Sequence, residues 1–156
     1  MPHVVLVGKP GSRWENVAAD LRRSTGLELV VTDGPLAPQL DSAGFQGGVL
    51  VGAGDGVALV TEYAGGFEDH RVWGLALLSP RFVEGATDLR EALGYIRVPI
   101  LLVQTVDEVD TQSDIAQEEC YCPVDVVRAD GSNQVAAAIA EFVTALALTR
   151  TVAEPA

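Results

Sequence analysis

Several short segments of this chain gather residues able to do chemistry. They are Gly8-Lys9-Pro10-Gly11-Ser12, Asp33-Gly34-Pro35, Gly52-Ala53-Gly54-Asp55-Gly56, Asp107-Glu108-Val109-Asp110 and Asp130-Gly131-Ser132-Asn133. Glycine-rich loops can turn backbone N–H groups toward a ligand, and carboxylates serve as general acids or bases when burial raises their pKa. Asp33, Asp55, Asp107, Glu108 and Asp110 are the candidates for that role. Nucleotide loops are excluded by spacing. Read from Gly52, the third glycine of G-x-G-x-x-G falls on Val57, and Gly8–Ser12 lacks the G-x-x-x-x-G-K-[ST] order. The histidines are His3 and His70, and each sits where a strand begins, away from these loops. Asp107, Glu108, Asp110, Asp114, Glu118 and Glu119 read as a solvated acidic rim, since no glycine-punctuated calcium loop accompanies them. Cys120 and Cys122 are too close in sequence to staple distant segments, and are expected as reduced thiols. No metal and no cofactor is expected.

The elements that must position these loops alternate along the chain. Pro2–Val7, Leu27–Thr32, Gly48–Gly52, Val72–Leu78, Pro99–Val103 and Val124–Val127 are continuous apolar runs of strand length. Unbroken rather than alternating runs suit strands buried on both faces, as in a parallel sheet. Between them lie helical segments. The first is opened by Ser12 with Glu15 in capping-box spacing and runs to about Ser24. The others start at Asp55 or Gly56 and cover 87–93, 113–119 and 134–149, with Asp55 expected to cap its helix. Strand and helix in alternation give a three-layer α/β sandwich with right-handed crossovers and six parallel strands. In such a sheet the chemistry-bearing loops, which follow the strands, meet at one edge.

Composition narrows the partners. The chain has 156 residues, 48% of them hydrophobic, with 22 acidic against 10 basic residues and a net charge of -12. That is one domain of ordinary size, assigned to residues 1–150 with a tail at 151–156. The acidic balance argues against nucleic acid and against anionic membrane surfaces. No apolar run reaches the roughly 20 residues of a membrane span, and the start lacks a signal-peptide pattern, so a cytoplasmic location is expected. The last helix, from Val135 to Leu148, carries Val135, Ile139, Phe142, Val143 and Leu146 on one stripe and many alanines elsewhere. A helix apolar nearly all round predicts burial against a second chain, a homo-oligomer or a partner protein.

In order along the chain, these pieces resemble the α/β-hydrolase fold of the esterase and epoxide-hydrolase type. Val4–Trp14 is similar to its first core strand and oxyanion loop, and Val31–Pro35 to its strand ending in Asp-x-Pro-Gly. Val49–Gly56 resembles its nucleophile strand and elbow, Arg71–Pro80 its next strand, and Ile96–Val103 the strand before its acid loop. The resemblance covers residues 3 to 147, and residues 81–98 leave no room for the family's cap domain. It implies a nucleophile at the centre of a small-x-nucleophile-x-small turn. Aligned on Gly52 and Gly56, that position is Gly54, which has no side chain. The base is expected near Ser132, where no histidine stands, and the acid at Asp107 or Glu108. Asp55 as a replacement nucleophile is one residue out of register.

The resemblance therefore implies a degenerate member that is not a serine hydrolase. Its pocket, at the C-terminal strand edge, is expected to serve non-hydrolytic chemistry of cyclase, isomerase or lyase type on an apolar small molecule. Asp55, Asp107 and Glu108 would be the catalytic groups, and Gly8, Lys9, Trp14, Asp33 and Gly54 the ligand contacts. The alternative is a non-catalytic small-molecule-binding or partner subunit.

Overall fold

The computed structural model describes residues 2–8, 12–25, 29–32 and 35–153, without the side chains of 12–15, 24–25, 29–32 and 151–153. In chain order the elements are β1 (His3–Val7), α1 (Ser12–Thr25), β2 (Leu29–Thr32), α2 (Leu36–Ser42), β3 (Gly48–Ala53), α3 (Gly56–Gly66) and β4 (Val72–Leu78). There follow β5 (Val83–Glu84), β6 (Thr87–Asp88), α4 (Arg90–Tyr95), β7 (Ile100–Thr105), α5 (Thr111–Glu119), β8 (Val124–Ala129) and α6 (Ser132–Ala153). Six strands form one sheet in the order β2-β1-β3-β4-β7-β8, with every neighbour pair parallel.

Side-chain alternation along the strands divides the core in two. Val5, Val7, Leu50, Leu75, Leu77 and Leu102 pack on one face with α2, α3, α4 and α5. Val4, Leu6, Val49, Val51, Leu78 and Val103 pack on the other with α1 and α6. Both faces are covered, which is why the strands read as unbroken apolar runs. From β1 the chain goes to β2 on one side and then to β3 on the other. The C-terminal ends of β1 and β3 thus flank the point where strand order reverses, the place where open α/β sheets bind ligands.

The predicted strands are present to within a few residues, with residues 27–28 outside those described. Several helical expectations are corrected. Residues 87–93 are not one helix. Thr87–Asp88 pairs antiparallel with Val83–Glu84 around Gly85 at φ +59, and the helix begins only at Arg90, whose N–H is held by the Asp88 carboxylate at 3.1 Å. No element was expected between Pro35 and Gly48, yet α2 lies there; proline is tolerated in a first turn, and Leu36 and Leu40 anchor the helix in the core. The last helix buries Ala136, Ile139 and Val143, and leaves Ala137, Ala145 and Leu148 exposed beside Glu141 and Thr144. It also continues to Ala153, so the tail expected from 151 is helical over its first residues. Residues 79–99, where a cap domain would be inserted, hold only the β5–β6 hairpin and α4. Among the described residues no helix is long and apolar enough to cross a membrane.

Candidate functional site

The turn from β3 into α3 is built by glycines of opposite character. A Cβ on Gly56 would stand 1.7 Å from the Val7 carbonyl oxygen and 3.0 Å from the Gly8 Cα, so only glycine lets α3 start this close to β1. Gly54 lies at φ +58, in the left-handed region, and nothing stands within 4 Å of the place its Cβ would take. The residue is exposed, and its carbonyl accepts the Val57 N–H at 3.2 Å, which closes the turn. Any side chain here would be presented outward at the sheet edge in a strained backbone. Asp55 is exposed beside it but makes no side-chain capping hydrogen bond. The expectation that it caps α3 fails for a backbone reason. At φ -63 and ψ -22 Asp55 is already helical, whereas a capping carboxylate works from extended φ/ψ.

Ala53 pairs with Leu78, so Gly54 and Ser79 leave adjacent strands side by side. Ser79 is a non-glycine residue at positive φ, +47. Its N–H donates to the Val103 carbonyl at 2.8 Å, and its Oγ donates to Glu108 Oε1 at 2.5 Å. The same carboxylate oxygen accepts the Thr105 N–H and the Thr105 hydroxyl, each at 3.0 Å. Arg81 reaches Glu108 Oε2 at 3.5 Å. Burial pushes the Glu108 carboxyl up, but the hydrogen bonds from Ser79 and Thr105 together outweigh it and hold the pKa below the ordinary value. The expected rise by burial is therefore reversed at Glu108. Asp55, Asp107 and Asp110 are exposed, so the burial that expectation required is absent there as well.

The acidic rim is less uniform than its sequence. Arg128, from β8, pairs with the Asp110 carboxylate and donates to the Glu108 carbonyl at 2.6 Å. No group of three or more His, Cys, Asp or Glu is placed to hold a metal ion among the described residues. His3 opens β1 and His70 precedes β4, both at the opposite edge of the sheet.

A cavity of about 130 Å³ lies next to Ser79, between the acid loop and the start of α6. Leu78, Val103, Ala129 and Val135 form its apolar wall, with Ser79, Thr105 and Ser132 as polar exceptions. Gln104 also lines it, is 1% exposed, and has no hydrogen-bond partner for either side-chain amide atom among the described residues. The cavity is displaced toward β8 from Gly54, whose front is open. Gly8 is buried at the end of β1, Lys9 and Asp33 lie outside the described residues, and Trp14 is in the first turn of α1 with its side chain outside them. The structure thus brings Gly54, Ser79 and Glu108 to one edge. Sequence reading missed Ser79 and Gln104. For Ser79 a signal existed, since Ser79-Pro80 ends a strand at the loop-bearing edge. A lone glutamine in an apolar strand gave none.

Comparison with solved structures decides the architecture. Est1E from Butyrivibrio proteoclasticus superposes with a TM-score of 0.70 at 12% identity, over 94% of this chain and 88% of that one. A bromoperoxidase from Bacillus anthracis gives 0.66 at 13% identity, over 94% and 91%. This chain has the α/β-hydrolase fold. A haloalkane dehalogenase DbeA-M1 loop variant from Bradyrhizobium elkanii gives 0.65 at 14% identity, over 98% and 92%. No protein-family model matches the sequence, and no curated protein matches it. The β3–α3 turn, with Gly54 at its centre, is the segment that the resemblance aligns with the nucleophile elbow.

Proposed function

We propose that this chain uses the C-terminal edge of its sheet to bind an apolar small molecule without hydrolysing it. The observation that carries the reading is Gly54, which keeps the left-handed backbone of an elbow, faces open space and has no nucleophilic atom. The apolar class follows from Leu78, Val103, Ala129 and Val135 around the neighbouring cavity. At about 130 Å³ that cavity is below the 300–1,000 Å³ of whole-ligand sites, so it takes a ring or a branched end while the rest of the molecule extends toward Gly54. Glu108, held ionised by Ser79 and Thr105, suits a hydrogen-bond acceptor for the ligand better than a proton donor. Bromoperoxidase and haloalkane dehalogenase name the activities of two structural neighbours, and the likeness carries their fold to this chain, not their chemistry.

One observation favours the second reading, non-hydrolytic chemistry of cyclase, isomerase or lyase type. Ser79 is held at positive φ beside Gly54 and bonded to a carboxylate, and strain of this kind clusters at functional sites.

The test combines a fluorophosphonate probe with fragment-soaked crystals. No serine is expected to label and no nitrophenyl ester to turn over. Gly54→Ser should gain little, because triad members act as a unit and the base is missing. Stoichiometric labelling of any serine, Ser79 included, would overturn the proposal. Apolar fragments should bind between Ser79 and Gly54, and density confined to other sites would count against it. Conversion of a bound fragment that disappears in Glu108→Gln would establish the second reading. The proposal includes a second chain over Ala137, Ala145 and Leu148 of α6, so Leu148→Glu should reduce a dimer to a monomer in sedimentation. A wild-type chain that sediments as a monomer removes this part.

A further inference from the structure

Two thiols take no part in the site at Gly54. Cys120 directly follows α5 and Cys122 stands two residues before β8, so the pair lies at the end of the sheet where its strands begin. Two residues of extended chain span roughly 6.6–7.2 Å, at the outer limit of the Cα separation a disulfide allows. Here the chain bends at Tyr121 and Cys122, so the span is shorter. The side chains agree with this. Cys120 and Cys122 are both half-buried and pack against the same core cluster, whereas Tyr121 between them is 87% exposed. The two sulfurs thus lie on one side of the chain, and the Cys120 thiol donates a hydrogen bond to Cys122.

The link is also held at both ends. The Cys120 N–H donates to the Ala116 carbonyl at 2.9 Å, and the Pro123 carbonyl accepts the Ile100 N–H at 2.9 Å. Bond formation between groups already placed side by side needs little further ordering. The two sulfurs differ in character. The hydrogen bond from Cys120 holds Cys122 down to about 7, so about half of it is thiolate at neutral pH. The same bond, with burial, pushes the Cys120 thiol up. One sulfur is a nucleophile, and the other keeps the proton that a departing oxygen takes. Charge selects the oxidant. Glu118, Glu119 and the net charge of -12 repel anionic disulfides such as oxidised glutathione, whereas a small neutral hydroperoxide meets no such barrier.

We infer that Cys120 and Cys122 form a dithiol site oxidised by hydroperoxides, in which Cys122 attacks and Cys120 closes an intrachain disulfide. The Cys122 thiolate attacks a peroxide oxygen. The O–O bond breaks, an S–O bond forms, and with one proton taken up the products are a sulfenic acid and water or an alcohol. The Cys120 sulfur then displaces that oxygen, which leaves as water with the Cys120 proton as the S–S bond forms. The two sulfurs lose two electrons, which reduce one peroxide. This site is independent of the reading at Gly54.

The experiment treats the reduced full chain with a small excess of hydrogen peroxide and follows intact mass, peptide maps and dimedone trapping. A chain lighter by two hydrogens is expected, with Cys120 and Cys122 bridged in one peptide and both thiols restored by dithiothreitol. Cys120→Ser should stop at a sulfenic acid that dimedone labels on Cys122. Cys122→Ser should react at least about threefold more slowly at neutral pH, because the remaining thiol holds less thiolate. Oxidised glutathione should act more slowly than peroxide on the wild-type chain. The inference is overturned if both thiols survive peroxide that oxidises free cysteine, or if the bridge joins two chains. It is equally overturned if dimedone leaves Cys122 unlabelled in Cys120→Ser, if Cys122→Ser reacts as fast as the wild type, or if oxidised glutathione is the faster oxidant.

Discussion

Gly54 and Gly56 are two residues apart in one turn, and the geometry predicts opposite outcomes for a side chain at each. At Gly54 nothing lies within 4 Å of a new Cβ, so the only penalty is the backbone, held at φ +58. A left-handed L-residue costs roughly 1–2 kcal/mol, and a less flexible unfolded chain returns about 0.4–1 kcal/mol of it. Gly54→Leu should therefore destabilise by about 1 kcal/mol, a fall of roughly 2–4 °C in Tm for a chain of this size. Because the side chain meets open space, Gly54→Ala should cost the same. A Gly56 Cβ would instead stand 1.7 Å from the Val7 oxygen and 2.4 Å from its carbonyl carbon. Both atoms are backbone, so β1 and α3 must part. Gly56→Ala should cost above about 4 kcal/mol, much of the 5–15 kcal/mol by which domains are stable. Urea unfolding with an unchanged m-value reads both. If the pocket over Gly54 were collapsed, Gly54→Leu would overpack it and lose distinctly more than Gly54→Ala. That difference, or a Gly56→Ala variant within about 1 kcal/mol of wild type, would refute the reasoning. In the same preparations Gly54→Leu should abolish binding of any fragment located over the elbow.

Stability should also follow pH through the Tyr63–Asp69–Arg71 network. The hydrogen bond from Arg71, against burial, lowers Asp69 from 3.8 to about 2, and its side chain is only 11% exposed. A depressed folded pKa contributes stability that is present above about pH 4 and lost as pH falls toward 2. Denaturation midpoints should record about 2 kcal/mol of it, absent in Asp69→Asn. Burial, with Asp69 beside it, raises Tyr63 from 10.0 to about 12, so its contribution is complete below pH 10 and lost on the way to 12. A flat profile across both windows would contradict the network. Gln104→Leu removes two buried amide atoms that have no partner among the described residues, and should stabilise the fold by about 1 kcal/mol while weakening any ligand that used them. Destabilisation would show that the amide is satisfied in solution. A hydrogen bond from Cys120 lowers Cys122 to about 7, while that bond and burial raise Cys120. Iodoacetamide at neutral pH should therefore alkylate Cys122 first, and equal labelling in peptide maps would count against this.

The parallel sheet was legible because burial on both faces leaves the same mark at every position of a strand. Val49-Leu50-Val51 and Leu75-Ala76-Leu77-Leu78 need no tertiary information to be read as central strands. Short elements were harder. The α2 helix carries two prolines near its start and only Leu36 and Leu40 as anchors, so its signal is tertiary. Thr87–Asp88 pairs over two residues around Gly85, too few for a period to show. The glycines of the elbow were legible as a pattern, and their separate roles depended on the distance between α3 and β1. The state of Glu108 was not legible. It depends on Ser79, 29 residues away in sequence and brought beside it by the β4–β7 pairing. Burial alone suggested a raised pKa, and the hydrogen bonds that reverse the sign come from a neighbouring strand end.

Ser79 also bears on what the C-terminal edge does. A non-glycine residue at φ +47 costs on the order of 1–3 kcal/mol, and persists only where its surroundings over-determine it. The surroundings here are the Val103 carbonyl, which takes its N–H, and Glu108, which takes its hydroxyl. Glu108 is fixed in turn by Thr105 and faced by Arg81. A packed edge with no ligand would be served as well by glycine at position 79, as glycine serves at 54. The strain instead keeps one hydroxyl and one ionised carboxylate at a fixed place, beside an open elbow and a largely apolar cavity. That arrangement has the elements of a small-molecule site, an apolar wall with few oriented polar groups. Gly54, at the centre of the turn, offers no side-chain atom to form an acyl intermediate, which is why we propose binding and not hydrolysis.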